Sequence, residues 1–188
     1  MNNWIQILKY LIENKEKQFT INHISKALKL NYRIAYTEVK SLEKEGLIDV
    51  KKAGNSSQCS LSNKFNEKVF AVEYLRRKEL LTNKDLKVMC NRLSEINEQF
   101  ILVLFGSHAK GMKTKHSDID LLLIANSKKK IEEELDLLPL KTHLTAITYN
   151  DFMIMLKSKE PTVVSEALKK NIILFGVEDY YRMLKNAQ

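Results

Sequence analysis

The stretch that most constrains this chain is Gly106-Ser107-His108-Ala109-Lys110-Gly111, followed after a short loop by Ser117-Asp118-Ile119-Asp120. It lies between two apolar runs, residues 100–105 and 121–124, which read as buried strands. The first strand ends in Gly-Ser, a basic turn carries a second glycine, and an Asp-x-Asp enters the next strand. Glycine lets backbone approach an anion closely, and the turn offers amide donors and a hydroxyl. Carboxylates at i and i+2 of a strand project to one face, where both can reach one divalent cation. Phosphate and hard-cation chemistry is therefore expected at this bend.

The 188 residues suit one domain or two small ones, and the balance of 44% hydrophobic with 29% charged residues is that of a globular chain. No apolar run approaches the roughly 18–20 residues that cross a bilayer, so no membrane segment is expected. Met1-Asn2-Asn3-Trp4 lacks the charged start and apolar core of a secretory leader. Cys59 and Cys90 make no disulfide framework and read as small buried side chains, which favours a reducing, cytoplasmic setting. The formal charge of +8 is uneven. Residues 1–65 hold 11 Lys and Arg against 6 Asp and Glu, and residues 66–188 hold 20 against 17. A basic first third attracts polyanions through counterion release.

Within that first third, Trp4, Leu8, Leu11 and Ile12 recur at helical spacing. Phe19-Thr20-Ile21 leads into a second short helix with Ile24, Ala27 and Leu28 on one face. Asn31 is placed to cap a third helix that buries Ala35, Val39 and Leu42. Its opposite face carries Arg33, Tyr36, Thr37, Lys40 and Lys44, and Gly46 supplies the stop. Residues 47–52, a turn at Gly54-Asn55 and a polar strand over 57–62 read as a hairpin. Three helices and a hairpin over residues 1–63 resemble the winged helix-turn-helix family, most closely at ISKALKLNYRIAYTEVKSLEKEGLI, residues 24–48. That resemblance implies double-stranded DNA as a partner. Arg33, Tyr36, Thr37 and Lys40 would lie in a major groove, and Lys51 and Lys52 of the wing would meet phosphate or the minor groove. A homodimer reading paired half-sites is the corresponding expectation.

Residues 67–100 read as two helices divided near Thr82-Asn83, with apolar stripes at Val69, Val72, Leu75, Leu80 and at Leu86, Met89, Leu93, Ile96. Arg76-Arg77-Lys78 reads as a solvated helix face. No Gly, Ser or Pro-rich linker separates the modules, so a stiff connection is expected. Beyond residue 124 come a charged helix over 128–138 and a strand over 143–148. A helix capped by Asn150 or Asp151 follows, then one opened by Pro161. The chain closes with an apolar segment at 172–175 ending in Gly176, and a last helix over 178–185.

The bend from Gly106 to Asp120 resembles the polymerase-beta-like nucleotidyltransferase superfamily, in particular its minimal prokaryotic members. Gly-Ser, an intervening loop and Asp-x-Asp form the signature. Here ten residues, 108–117, intervene, and Ala109, Lys110, Gly111 and Ser117 match in detail. The resemblance implies that Asp118 and Asp120 are catalytic metal ligands for Mg²⁺ or Mn²⁺. It implies that Gly106, Ser107 and Ser117 hold the phosphates of a nucleoside triphosphate, with Lys110, and behind it Lys113 or Lys115, as point charges. His108 and His116 share the loop as donors rather than bases. The implied reaction moves a nucleoside monophosphate onto an acceptor hydroxyl by alignment and charge neutralisation. Active members add a third carboxylate from a later strand. Residues 141–148 form the corresponding strand here and contain no acid. His143 or Thr145 stands in its place, and Asp136 and Asp151 only flank it.

The expected fold class is α+β. A winged helix-turn-helix over residues 1–65 and a helical connector over 66–98 precede a small mixed α/β nucleotidyltransferase-fold domain over 99–188. The functional expectation is a DNA-binding transcriptional regulator whose second domain, with no third acid found, binds a nucleotide–metal complex or keeps its fold for dimerisation or sensing. The alternative is an active transferase acting on a protein, RNA or small molecule. An antitoxin-like protein with a toxin partner is a third.

Overall fold

The computed structural model describes residues 2–54, 56–112, 117–158 and 161–187. It divides into two compact units, residues 1–72 and 73–188.

The first unit opens with α1 (Asn3–Glu13), whose Ile7, Leu8, Leu11 and Ile12 return to one stripe and are fully buried. A short strand, β1 (Phe19–Thr20), runs directly into α2 (Ile21–Ala27), where the Thr20 side chain accepts the His23 amide as cap. In α3 (Tyr32–Lys44) the Asn31 side chain accepts the Arg33 amide, and Ala35, Val39 and Leu42 are buried. Fully burying each such aliphatic side chain stabilises by about 1.5–3 kcal/mol. Gly46, at φ +75°, turns the chain out of α3. Then β2 (Ile48–Ala53) pairs antiparallel with β3 (Ser56–Leu61), from Ile48 opposite Leu61 to Ala53 opposite Ser56. The other edge of β3 holds β1, with Phe19 opposite Cys59, so the sheet order is β1-β3-β2.

Three helices on a three-stranded sheet make this unit a winged helix-turn-helix, as the pattern predicts. Two details differ. Residues 19–20 are a sheet strand, too short to show alternation. Ala27 is exposed, and α2 instead buries Ile21, Ile24 and Ser25, because the helix begins one turn earlier than Ile24 suggests. Asn55 of the expected turn lies outside the described residues.

The division between units falls inside α4 (Glu67–Leu80). After it come α5 (Lys84–Leu93), capped by the Asn83 side chain, and β4 (Ile101–Leu104). Next are α6 (Gly106–Lys110), β5 (Ile119–Ile124), α7 (Lys129–Asp136) and β6 (Thr142–Ile147). The chain continues with α8 (Tyr149–Lys157), α9 (Val163–Lys169), β7 (Ile172–Phe175) and α10 (Val177–Asn186). The sheet order is β6-β5-β4-β7. In it β4 is antiparallel to both neighbours, and β5 runs parallel to β6 through the α7 crossover. All of β4 is buried, as are Leu121, Leu122, Leu123 and Ile124 of β5, and Leu86, Met89, Leu93, Ile131 and Leu135 pack in the same core.

The run Arg76-Arg77-Lys78 is not a solvated face. Arg76 is 4% exposed and donates to the buried Glu73 carboxylate and to the Asn171 carbonyl. Tyr181 donates its hydroxyl to Glu73 at 2.7 Å, and the Asn171 amide donates to Tyr180 at 2.9 Å. Burial pushes both tyrosines far above the ordinary phenol range. Consecutive helical residues point about 100° apart, so three adjacent cations cannot share one face. Two caps also differ from expectation. Thr148 caps α8 in a reciprocal box with Asp151, and Thr162 rather than Pro161 opens α9.

Candidate functional site

Beyond β4 the chain stays extended at Phe105, whose amide donates to the Asp120 carbonyl at 3.0 Å, so the β4–β5 pairing continues to the bend. Gly106 then takes φ +67°, a left-handed conformation that favours glycine. A Cβ at this position would lie 1.9 Å from Asp120 Oδ2 and 2.8 Å from its Cγ. The Asp120 carboxylate thus rests on the bare backbone of Gly106. Contact between the Gly-Ser bend and the second acid is direct.

Ser107 is half-buried in the first turn of α6, Lys110 is exposed at its end, and Gly111 closes it at φ +70°. The Ser107 carbonyl accepts the Met112 amide at 3.1 Å. His108 Nε2 lies 3.3 Å from the Ser117 carbonyl and ties the far end of the loop to α6. Its Nδ1 is buried without a hydrogen-bond partner. Lys113, Lys115 and His116 lie outside the described residues.

The parallel register of β6 decides what faces the acids. His143 is the partner of Asp120, and its Nδ1 stands 3.5 Å from Asp120 Oδ1. Lys141 accepts the Ile119 amide on its carbonyl at 2.8 Å and sends its ammonium to Asp118 Oδ1, also at 2.8 Å. That contact is an ion pair without hydrogen-bond alignment. Thr145 pairs with Leu122, two residues farther along, so His143 rather than Thr145 holds the place beside the acid pair. Asp151 is committed to capping α8 and Asp136 ends α7. Among the described residues no group of three His, Cys, Asp or Glu side chains is set to hold a metal ion.

Asp118 and Asp120 are hard oxygen donors that fit one divalent cation, with the Lys141 ammonium as its competitor at Asp118. Two closely spaced ions would need more carboxylate than this donor set contains. Lys141 escaped the sequence reading because that reading searches residues 141–148 for a missing acid and not for a cation facing the pair. Its signal was its place two residues before His143, on the same strand face.

On the winged helix, Arg33, Tyr36, Thr37 and Lys40 all lie exposed on α3, opposite its buried stripe. Tyr32, unremarked in the sequence, adds to them. Its ring centroid is 6.3 Å from that of Tyr36, and the two residues are 53% and 45% exposed. Thr37 spends its hydroxyl on the Arg33 carbonyl at 2.9 Å. Lys40 sits 2.6 Å from Glu43, a hydrogen bond that raises its pKa, so its charge is partly matched already. Lys51 and Lys52 are exposed on β2. As adjacent strand residues they point to opposite faces.

No curated protein matches this chain. Among solved structures it resembles reduced HlyU from Vibrio cholerae at 22% identity, covering 41% of this chain and 76% of HlyU with a TM-score of 0.34. It resembles MepR, a transcription regulator of the Staphylococcus aureus multidrug efflux pump MepA, at 19% identity, covering 50% and 76% with a TM-score of 0.36. Sso10a-2, a DNA-binding protein from Sulfolobus solfataricus, is 19% identical, covering 53% and 99% with a TM-score of 0.36. The model of the family described as "Polymerase beta, Nucleotidyltransferase" matches residues 84–180, just over half of the chain, which therefore belongs to that family.

Proposed function

We propose that this protein is a DNA-binding transcriptional regulator. Its nucleotidyltransferase domain holds a nucleotide with one divalent cation at Gly106, Ser107, Lys110, Ser117, Asp118 and Asp120 without transferring it. The observation that carries this is the β6 register, which sets Lys141 and His143 against the acids where a further carboxylate would serve catalysis. The exposed α3 face, with Arg33, Tyr32 and Tyr36, and the wing lysines support the DNA half.

Fluorescence anisotropy with labelled duplexes at several salt concentrations tests the DNA half. Affinity should fall steeply with salt, and Lys51→Ala with Lys52→Ala should reduce the log–log slope by about one for each phosphate no longer neutralised. Arg33→Ala should weaken a preferred duplex more than a random one. Uniform weakening by every variant would sink groove reading. Light scattering of the duplex complex gives the number of copies bound, expected to be two.

One observation favours the alternative, an active transferase. The close seat of Asp120 on Gly106 is intact. Incubating the protein with each labelled nucleoside triphosphate, Mg²⁺ or Mn²⁺ and cell extract separates the two. Label transfer abolished in Asp118→Asn would establish the enzyme and overturn degeneracy. Binding without transfer supports the regulator. Co-purification of a helical ribonuclease would point to the antitoxin-like role.

A further inference from the structure

Two helical faces outside the acid-pair site meet in the second unit. Along α4, Tyr74, Arg77, Lys78 and Leu81 follow at i, i+3, i+4 and i+7, and along α5, Lys84 and Lys87 stand at i and i+3. They line a groove of about 680 Å³. The Glu178 carboxylate meets it only through the Tyr74 hydroxyl, no Asp or Glu is among its lining residues, and Lys78, Lys84 and Lys87 make no ion pair among the described residues. Glu79 and Asp85 adjoin Lys78 and Lys84 in sequence without pairing with them, whereas Lys128, Lys130 and Lys169 are each paired with an acid.

In this groove the Tyr74 hydroxyl donates to Glu178 at 2.9 Å, which fixes a ring that remains 48% exposed. Lys84, Lys87 and Asn91 of α5 line it as well. The Arg77 guanidinium lies 4.7 Å over the Phe175 ring and interacts with the Cys90 thiol, while its Nε is buried without a hydrogen-bond partner. Phe175 pairs with Leu102 near the start of β4, so this wall lies toward the opposite end of that strand from Gly106. More of the groove wall is hydrocarbon than polar. Its volume is in the range of small-ligand sites, about 300–1,000 Å³. The stripe from Tyr74 to Leu81 spans about 10 Å, one nucleotide rather than an extended polymer.

We propose that this groove is a second anion site that takes a nucleoside polyphosphate. The phosphates lie on Lys78, Lys84, Lys87 and Arg77, and the base packs on Tyr74 and Leu81. The site needs neither Asp118 nor Asp120 nor a divalent ion, so it goes beyond the function proposed for the acid pair.

The test uses the full-length Asp118→Asn/Asp120→Asn protein in EDTA, where the acid-pair site is disabled. It is titrated calorimetrically with ATP, GTP, CTP, UTP and inorganic triphosphate. Saturable binding of at least one nucleoside triphosphate, tighter than inorganic triphosphate, is expected. Lys84→Glu with Lys87→Glu should weaken it at least about tenfold, the usual worth of a charge-assisted contact. Tyr74→Ala should weaken the nucleotide but not inorganic triphosphate. Circular dichroism checks that these surface variants fold. Absence of saturable binding in this background overturns the proposal. So does indifference to the lysine reversals, or inorganic triphosphate binding as tightly as every nucleotide. Nucleotide binding seen only in the wild type with metal would belong to the acid pair and would leave the groove empty of this role.

Discussion

Replacing Gly106 by alanine should damage the site and the second unit together. A non-glycine residue at φ +67° costs about 1–2 kcal/mol in left-handed strain. The new methyl would also meet Asp120 Oδ2 at 1.9 Å, Cγ at 2.8 Å and Cβ at 3.1 Å. Rotating the carboxylate away relieves the first two contacts but not the third, and the crowding adds about 1–3 kcal/mol. The sum of about 2–5 kcal/mol should lower the melting temperature of a unit this size by roughly 8–20 °C. Thermal denaturation by circular dichroism, with hydrogen exchange at the β4 and β5 amides to localise the loss, reads the effect. A double-mutant cycle makes the test specific. In an Asp120→Gly background the carboxylate and the Cβ are both gone and only the backbone strain at 106 remains, so the cost of Gly106→Ala should fall by about 1–3 kcal/mol. A cost below about 0.5 kcal/mol, or equal costs in both backgrounds, would show that the carboxylate does not rest on this glycine.

Arg76→Ala should lower the stability measured in urea by about 3–5 kcal/mol, because it strands the buried Glu73, whereas Arg76→Met with Glu73→Leu should recover most of that loss. Burial pushes the Cys59 thiol up to about 11 from an ordinary value near 9. In a Cys90→Ser protein at pH 8, iodoacetamide should therefore label Cys59 about a hundredfold more slowly in the native state than in denaturant. Because the folded pKa is the raised one, the thiol's contribution to stability is complete below the unfolded value and fades as pH climbs toward 11. Lys141→Met should tighten Mn²⁺ binding by up to about fivefold, the worth of roughly 1 kcal/mol for the exposed Lys141–Asp118 ion pair that the cation would otherwise have to displace. Unchanged affinity would place Lys141 outside the cation's reach.

Much of this molecule was legible because its signals are local. The Asn31 cap, the Ala35, Val39 and Leu42 stripe and the apolar runs around 101–104 and 121–124 each declare an element within a few residues. What escaped depends on partners distant in sequence. Phe19 and Thr20 form a strand because Gln58 and Cys59 offer an edge. Arg76 is buried because Glu73 and the Asn171 carbonyl accept from its guanidinium while Tyr181 donates to Glu73, and Asn171 and Tyr181 both lie about a hundred residues away. In the site, Gly106, Asp118 and Asp120 announced themselves by type and spacing. Lys141 did not, since its meaning comes only from the register between β5 and β6.

That register also limits what the site can become. Parallel pairing ties Ile119 to Lys141 by a backbone hydrogen bond and carries Asp120 opposite His143. A slip of one residue would turn every β6 side chain to the other face. A slip of two would bring Thr145 opposite Asp120 and break the present ladder along its whole length. The electrostatic character of the acid pair is therefore set by the residues at 141 and 143, on the edge strand, and the glycine bend that seats Asp120 does not depend on them. Exchanging two exposed side chains would alter charge at the pair while leaving the core intact. On the function proposed above, that separation is what would let the domain hold a nucleotide without the charge that turnover needs.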